Sequence, residues 1–97
     1  MEIGSAKITF IVADSHSLKT KRRFARSVMT RLRQKFSVTV AEVEHLEHWQ
    51  KLVIGVVCVS NDYGHVVQIL DNVVRYLEMA PLEGEVFGVE KEVIRNL

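Results

Sequence analysis

Residues 16–36 read HSLKTKRRFARSVMTRLRQKF. Leu18, Ala25, Val28, Met29, Leu32 and Phe36 recur at the three-to-four spacing that places side chains on one face of a helix. Ser17 stands where an N-cap belongs, with a hydroxyl able to accept from an amide two or three residues on. The helix should end near Lys35 and Phe36. The same stretch holds eight of the thirteen basic residues (Lys19, Lys21, Arg22, Arg23, Arg26, Arg31, Arg33 and Lys35) and no Asp or Glu. At 100° per residue, Lys19, Arg22, Arg26 and Arg33 fall on one flank of the apolar stripe, with Arg23 just beyond them. Lys21 falls on the apolar side, so it is expected to snorkel or to lie past the edge of the core.

A solvated helix usually mixes charge signs, because i,i+4 pairs of opposite charge add roughly 0.2–0.5 kcal/mol each. This one mixes none. Lys19, Lys21, Arg22 and Arg23 also sit in the first turns, against the helix dipole, where each charge costs roughly 0.3–1 kcal/mol. Such placement fits a surface that meets an anion. The bland alternative is a solvated face or pairing within the chain.

Strand-like runs flank the helix. Ile3 to Ala13 alternates, with Ile8, Phe10 and Val12 on one side and Lys7, Thr9 and Ile11 on the other. After Ser37, Val38 and Val40 share one face while Ala41 and Val43 share the other; a β-bulge near Val40 and Ala41 would reconcile them, and a strand buried on both faces is the alternative. Leu52 to Val59, LVIGVVCV, reads as a central strand covered on both faces. Ser60-Asn61-Asp62 starts a second helix, striped by Val66, Leu70, Val73 and Leu77 and stopped by Pro81. A last strand spans about Glu83 to Val93, with Val86, Phe87 and Val89 as its apolar members.

The order β-α-β-β-α-β, folded through two right-handed crossovers, gives an α+β ferredoxin-like sandwich over residues 1–97. It has a four-stranded antiparallel sheet of order 4-1-3-2 with two helices on one face. Helices on one face leave the other open. Ile11, Ala41, Val43 and Val57 are expected there, as an apolar patch for a partner, most simply a second copy of the chain. Trp49, between the second and third strands, reads as a lid over the core or as an interface anchor.

A length of 97 residues with 47% hydrophobic and 26% charged residues suits one globular domain. The net charge of +1 makes the basic helix a local patch on a neutral-to-acidic body. Cys58 stands alone, so no disulfide forms within the chain, and a reducing cytoplasm is the simplest compartment. No apolar run reaches the length of a membrane span.

Together, Ser15-His16-Ser17-Leu18-Lys19, Lys21-Arg22-Arg23, Val38-Thr39-Val40-Ala41-Glu42-Val43, Trp49-Gln50 and Val59-Ser60 resemble the YlxP-like family of small bacterial proteins, a domain of unknown function. The resemblance runs from the first strand through the second helix; Leu46-Glu47-His48 departs from the pattern. It implies a ferredoxin-like fold and a cytoplasmic location. In many bacteria the family's genes lie beside those of transcription–translation and ribosome-maturation factors. No catalytic residues come with it.

The remaining chemistry is thin. His45 and His48 with Glu44 and Glu47 lack the spacing of a metal site, since strand neighbours point to opposite faces. His16 beside Asp14 has no nucleophile or second carboxylate with it. No Gly-rich phosphate loop is present. RNA-recognition modules of this fold stack bases on sheet aromatics, and Leu52 to Val59 has none. No catalytic residue, metal or cofactor is therefore expected. The leading expectation is a non-enzymatic RNA- or ribosome-associated protein whose Lys19, Arg22, Arg23, Arg26 and Arg33 contact phosphates. The alternative is a homo-oligomeric ligand or regulatory module that uses the open sheet face.

Overall fold

Ten residues of strict alternation build β1 (Glu2–Ile11), whose even-numbered members are buried and odd-numbered members half-buried. The computed structural model describes all residues 1–97. After β1 come α1 (Leu18–Lys35), β2 (Thr39–Glu44), β3 (Lys51–Ser60), α2 (Tyr63–Met79) and β4 (Glu85–Ile94). The strands form one antiparallel sheet in the order β2-β3-β1-β4, which is the expected 4-1-3-2 order seen from the other edge.

The first helix starts on the expected cap, Ser17, and the second starts on Asp62, within the expected Ser60-Asn61-Asp62 signal. Ser17 Oγ accepts from the Thr20 amide at 3.1 Å, and Asp62 Oδ2 accepts from the His65 amide at 3.0 Å. Phe24, Ala25, Val28 and Leu32 of α1 and Val66, Leu70, Val73 and Leu77 of α2 share one core with Ala6, Ile8, Phe10, Leu52, Ile54, Val56 and Cys58. Both helices therefore cover the same face. The Phe10 and Phe24 rings meet edge to face at 5.7 Å. An ion pair of 2.7 Å from Lys91 to Asp71 ties β4 to α2.

Two strands carry irregularities. In β2 the register steps from Glu42↔Ile54 to Glu44↔Val53, so Val43 has no partner of its own. The bulge thus lies two residues beyond the position expected near Val40 and Ala41. The strand alternates plainly up to Glu42, and Val43 settles instead over Gly55, where the missing side chain leaves room. In β4 the register steps from Gly88↔Thr9 to Val86↔Phe10, leaving Phe87 unpaired and 76% exposed. Phe87 is not the core member its sequence neighbours suggest, because the bulge turns it out of the packed face.

Candidate nucleic-acid interface

All eight cations of residues 16–36 lie on α1, and their surroundings divide them. Lys21 is fully buried, with Nζ donating to the carbonyls of His45 and Leu46 at 2.9 and 3.1 Å and lying 2.8 Å from Glu42 Oε2. It neither snorkels nor lies past the core, as the sequence suggested. An inward-facing carboxylate on β2 and two loop carbonyls supply what water would otherwise give. Glu42 Oε2 is itself buried and out of hydrogen-bond alignment, so its contact with Lys21 is Coulombic.

The other seven have no carboxylate within ion-pairing distance. Lys19, Arg22, Arg23 and Arg26 are exposed along the outer side of α1. Arg33 differs, because one guanidinium nitrogen donates to the Val40 carbonyl of edge strand β2 at 2.9 Å. Four of the five residues expected to meet phosphates thus form an open row, and the fifth is tethered to the sheet. At the start of the helix the amides of Leu18 and Lys19 meet no protein acceptor. With Lys21 neutralised, Lys19, Arg22 and Arg23 remain as cations that oppose the dipole.

The open sheet face is less uniform than its sequence suggests. One row across the sheet reads Ala41, Gly55, Lys7, Glu90. Lys7 Nζ reaches Glu44 at 2.7 Å and Glu90 at 3.6 Å. The hydrogen bond to Glu44 raises the Lys7 pKa above its ordinary value, and the same bond lowers that of Glu44. Ala41, Val43 and Val57 are exposed and Ile11 is half-buried. The Lys7 row separates Ile11 from Val57, so the expected interface residues are not one continuous apolar surface. Beyond Val57 a second apolar row, Val59, Ile3 and Ile94, crosses the sheet. Trp49 is 54% exposed in the β2–β3 loop, which overturns the lid reading. Its neighbour Gln50 holds the loop instead, donating to the carbonyls of Ala13 and Ser15 at 3.0 and 3.2 Å.

His48 Nδ1 accepts from the Gln50 amide at 3.1 Å, and the His45 and His48 rings lie 6.4 Å apart. These histidines shape the loop. Cys58 is a core residue, and burial pushes its thiol pKa up.

The sequence model of the family described as "Protein of unknown function (DUF503)" matches residues 3–91. The chain belongs to this family. It is similar to the "Uncharacterized protein YlxP" of Bacillus subtilis (strain 168), with 30% identity over 79 residues, covering 81% of this chain and 86% of that protein. The DUF503 match takes in both helices and all of the α1 cations. No helix of this DUF503 member is long and apolar enough to cross a membrane.

Three further cations form a group that the sequence pattern alone does not single out. Arg31 and Lys35 lie on the flank of α1 opposite Arg33, and Arg75 of α2 lines the same cleft as they do. The i,i+4 spacing of Arg31 and Lys35 was the available signal. Arg75 joins them only through the packing of one helix beside the other.

Proposed function

We propose that this protein is a non-enzymatic, cytoplasmic RNA-binding domain that contacts phosphates of a ribosomal or pre-ribosomal particle through α1. The observation that carries the reading is the unpaired row of Lys19, Arg22, Arg23 and Arg26, on a helix without an acidic residue, in a chain with twelve acids elsewhere. Free amides at the helix start add to the affinity for anions. The gene neighbourhood implied by the YlxP-like resemblance points the same way. The sheet face, with Lys7 flanked by Glu44 and Glu90 and no aromatic on β3, lacks the paired aromatics of the central strands on which RNA-recognition modules stack bases.

Phosphate contacts position a protein without reading sequence, so binding should be sequence-tolerant and steeply salt-dependent. The test is retention on structured RNA and on ribosomal particles across a salt series. Arg22→Glu combined with Arg26→Glu should abolish retention and leave the fold intact. Equal retention of wild-type and doubly substituted protein at low salt would overturn the reading.

A second reading has its own observation. Val57 and Val59 are 44% and 59% exposed and Ile94 is 47% exposed on the open face. A homodimer through that end of the sheet, acting as a ligand or regulatory module, would cover them. Val57→Asp should then give a monomer, and a monomeric wild-type protein in sedimentation would remove this reading.

A further inference from the structure

Where the last turns of α1 pass α2, an open cleft of about 560 Å³ is lined by Arg31, Lys35, Arg75, Tyr76, Met79 and Pro81, with no carboxylate among its walls. That size falls in the range of roughly 300–1,000 Å³ common to ligand pockets. The three cations come from two helices, and none has an ion-pair partner. Like charges gathered without an acid repel one another until an anion arrives. Helix dipoles do not account for them all. Lys35 lies in the last turn of α1, but the last turn of α2 holds no basic residue, and Arg75 has only Asn72 Oδ1 at 3.4 Å.

The rest of the cleft is apolar and partly aromatic. Tyr76 is braced edge to face by Phe36 at 5.9 Å and carries Lys35 Nζ 5.1 Å from its ring centre. Met79 is 78% exposed, a large apolar side chain left in water beside three cations. Arg31 and Pro81 also line an adjoining groove that runs to Ser27 and Arg23, with Glu83 on its wall. A basic track therefore leads from the exposed row of α1 into the cleft.

We propose that the cleft receives an unpaired nucleotide of single-stranded RNA. Its phosphates lie on Arg31, Lys35 and Arg75, and its base lies against Tyr76, Met79 and Pro81. The strand then continues along the groove toward Arg23. Every base has a π-face, so such a site tolerates sequence while selecting unpaired strands. A duplex keeps its bases stacked inside and offers this cleft only phosphates. The inference rests on the RNA-binding reading of α1 and adds the form of the RNA and the place of one nucleotide.

The test compares a fluorescent oligo(A) with a duplex RNA of equal length by anisotropy titration. It uses wild type, Arg75→Glu, Met79→Ser and the Arg22→Glu, Arg26→Glu pair, each first shown to be folded by circular dichroism. Arg75→Glu should weaken oligo(A) binding about tenfold or more, and Met79→Ser severalfold without changing its salt slope. Met79→Ser should leave duplex binding nearly unchanged and Arg75→Glu should weaken it severalfold less than oligo(A) binding, while the α1 pair should weaken both RNAs. The cleft proposal is overturned if the two α2 substitutions leave oligo(A) affinity at the wild-type value. It is equally overturned if they weaken both RNAs alike, which is loss of general attraction only. If wild type binds neither RNA, the phosphate-contact reading of α1 has itself failed.

Discussion

The ammonium of Lys21 and the carboxylate of Glu42 lie 2.8 Å apart between α1 and β2, with the lysine wholly out of solvent and the glutamate side chain 15% exposed. The same ammonium bonds two carbonyls of the β2–β3 loop. It is therefore the point at which helix, edge strand and loop are joined. Removing one partner of such a pair leaves a buried charge without compensation, which typically costs about 3–5 kcal/mol. Lys21→Met should cost an amount of that order in urea denaturation. The double change Lys21→Met, Glu42→Leu should cost less than the two single changes together, since no charge is then stranded.

Trp49 should behave as a surface residue. Truncation of a core tryptophan costs about 3–5 kcal/mol, whereas exposed substitutions mostly stay within about 0.5 kcal/mol. With half its surface in water, Trp49→Ala should lower monomer stability by less than about 1 kcal/mol. Melts across a concentration series make the measurement sharper, because a loss that grows with concentration identifies Trp49 as an interface anchor.

Arg33 and Arg22 should separate in experiment although both belong to the same flank in sequence. Arg33 holds the Val40 carbonyl on an edge strand, so Arg33→Ala should cost about 1 kcal/mol of stability. Arg22 touches no protein partner, so Arg22→Ala should leave stability unchanged and flatten the log–log salt slope of RNA binding by about 0.7–0.9. Denaturation and salt-dependent binding on the two variants check this division.

The pair between Lys7 and Glu44 predicts a pH window. The folded Glu44 carboxyl titrates below its ordinary value of 4.5, so its contribution is present above that value and is lost as pH falls through the lowered one. The folded Lys7 ammonium titrates above 10.5, so its contribution is present below that value and is lost as pH rises through the raised one. Glu44→Gln and Lys7→Met should therefore each flatten both limbs of a stability–pH curve, with Glu90 leaving the first variant a small remainder of the alkaline limb. Both groups are open to solvent, so the changes should be small and should shrink further in high salt.

Much of the fold was legible because it is written in short-range pattern. The alternation of β1 and the caps Ser17 and Asp62 each depend on residues a few positions apart. The same is true of the stripe from Val66 to Leu77. Lys21 shows where that reading stops. Its spacing puts it on the apolar face, but its partner Glu42 is twenty-one residues on and its loop carbonyls are further still. The position of the bulge at Val43 is hidden from sequence for a similar reason, since what seats Val43 is the gap over Gly55 on another strand. The exposed cations of α1 could be named from sequence. That Arg31 and Lys35 share a cleft with Arg75, and that Arg33 is anchored to the sheet, follow from packing alone.

The separation of charge has a consequence for motion. One side of the molecule presents the cations of α1, while the outer sheet face presents Glu44, Glu90 and Glu92 with Lys7 and Lys51 among them. A domain with a net charge of only +1 is thus strongly dipolar. A polyanion draws one side and repels the other, so the protein turns helix-first before contact is made. Its encounter rate should slow with added salt far more than its net charge alone would imply.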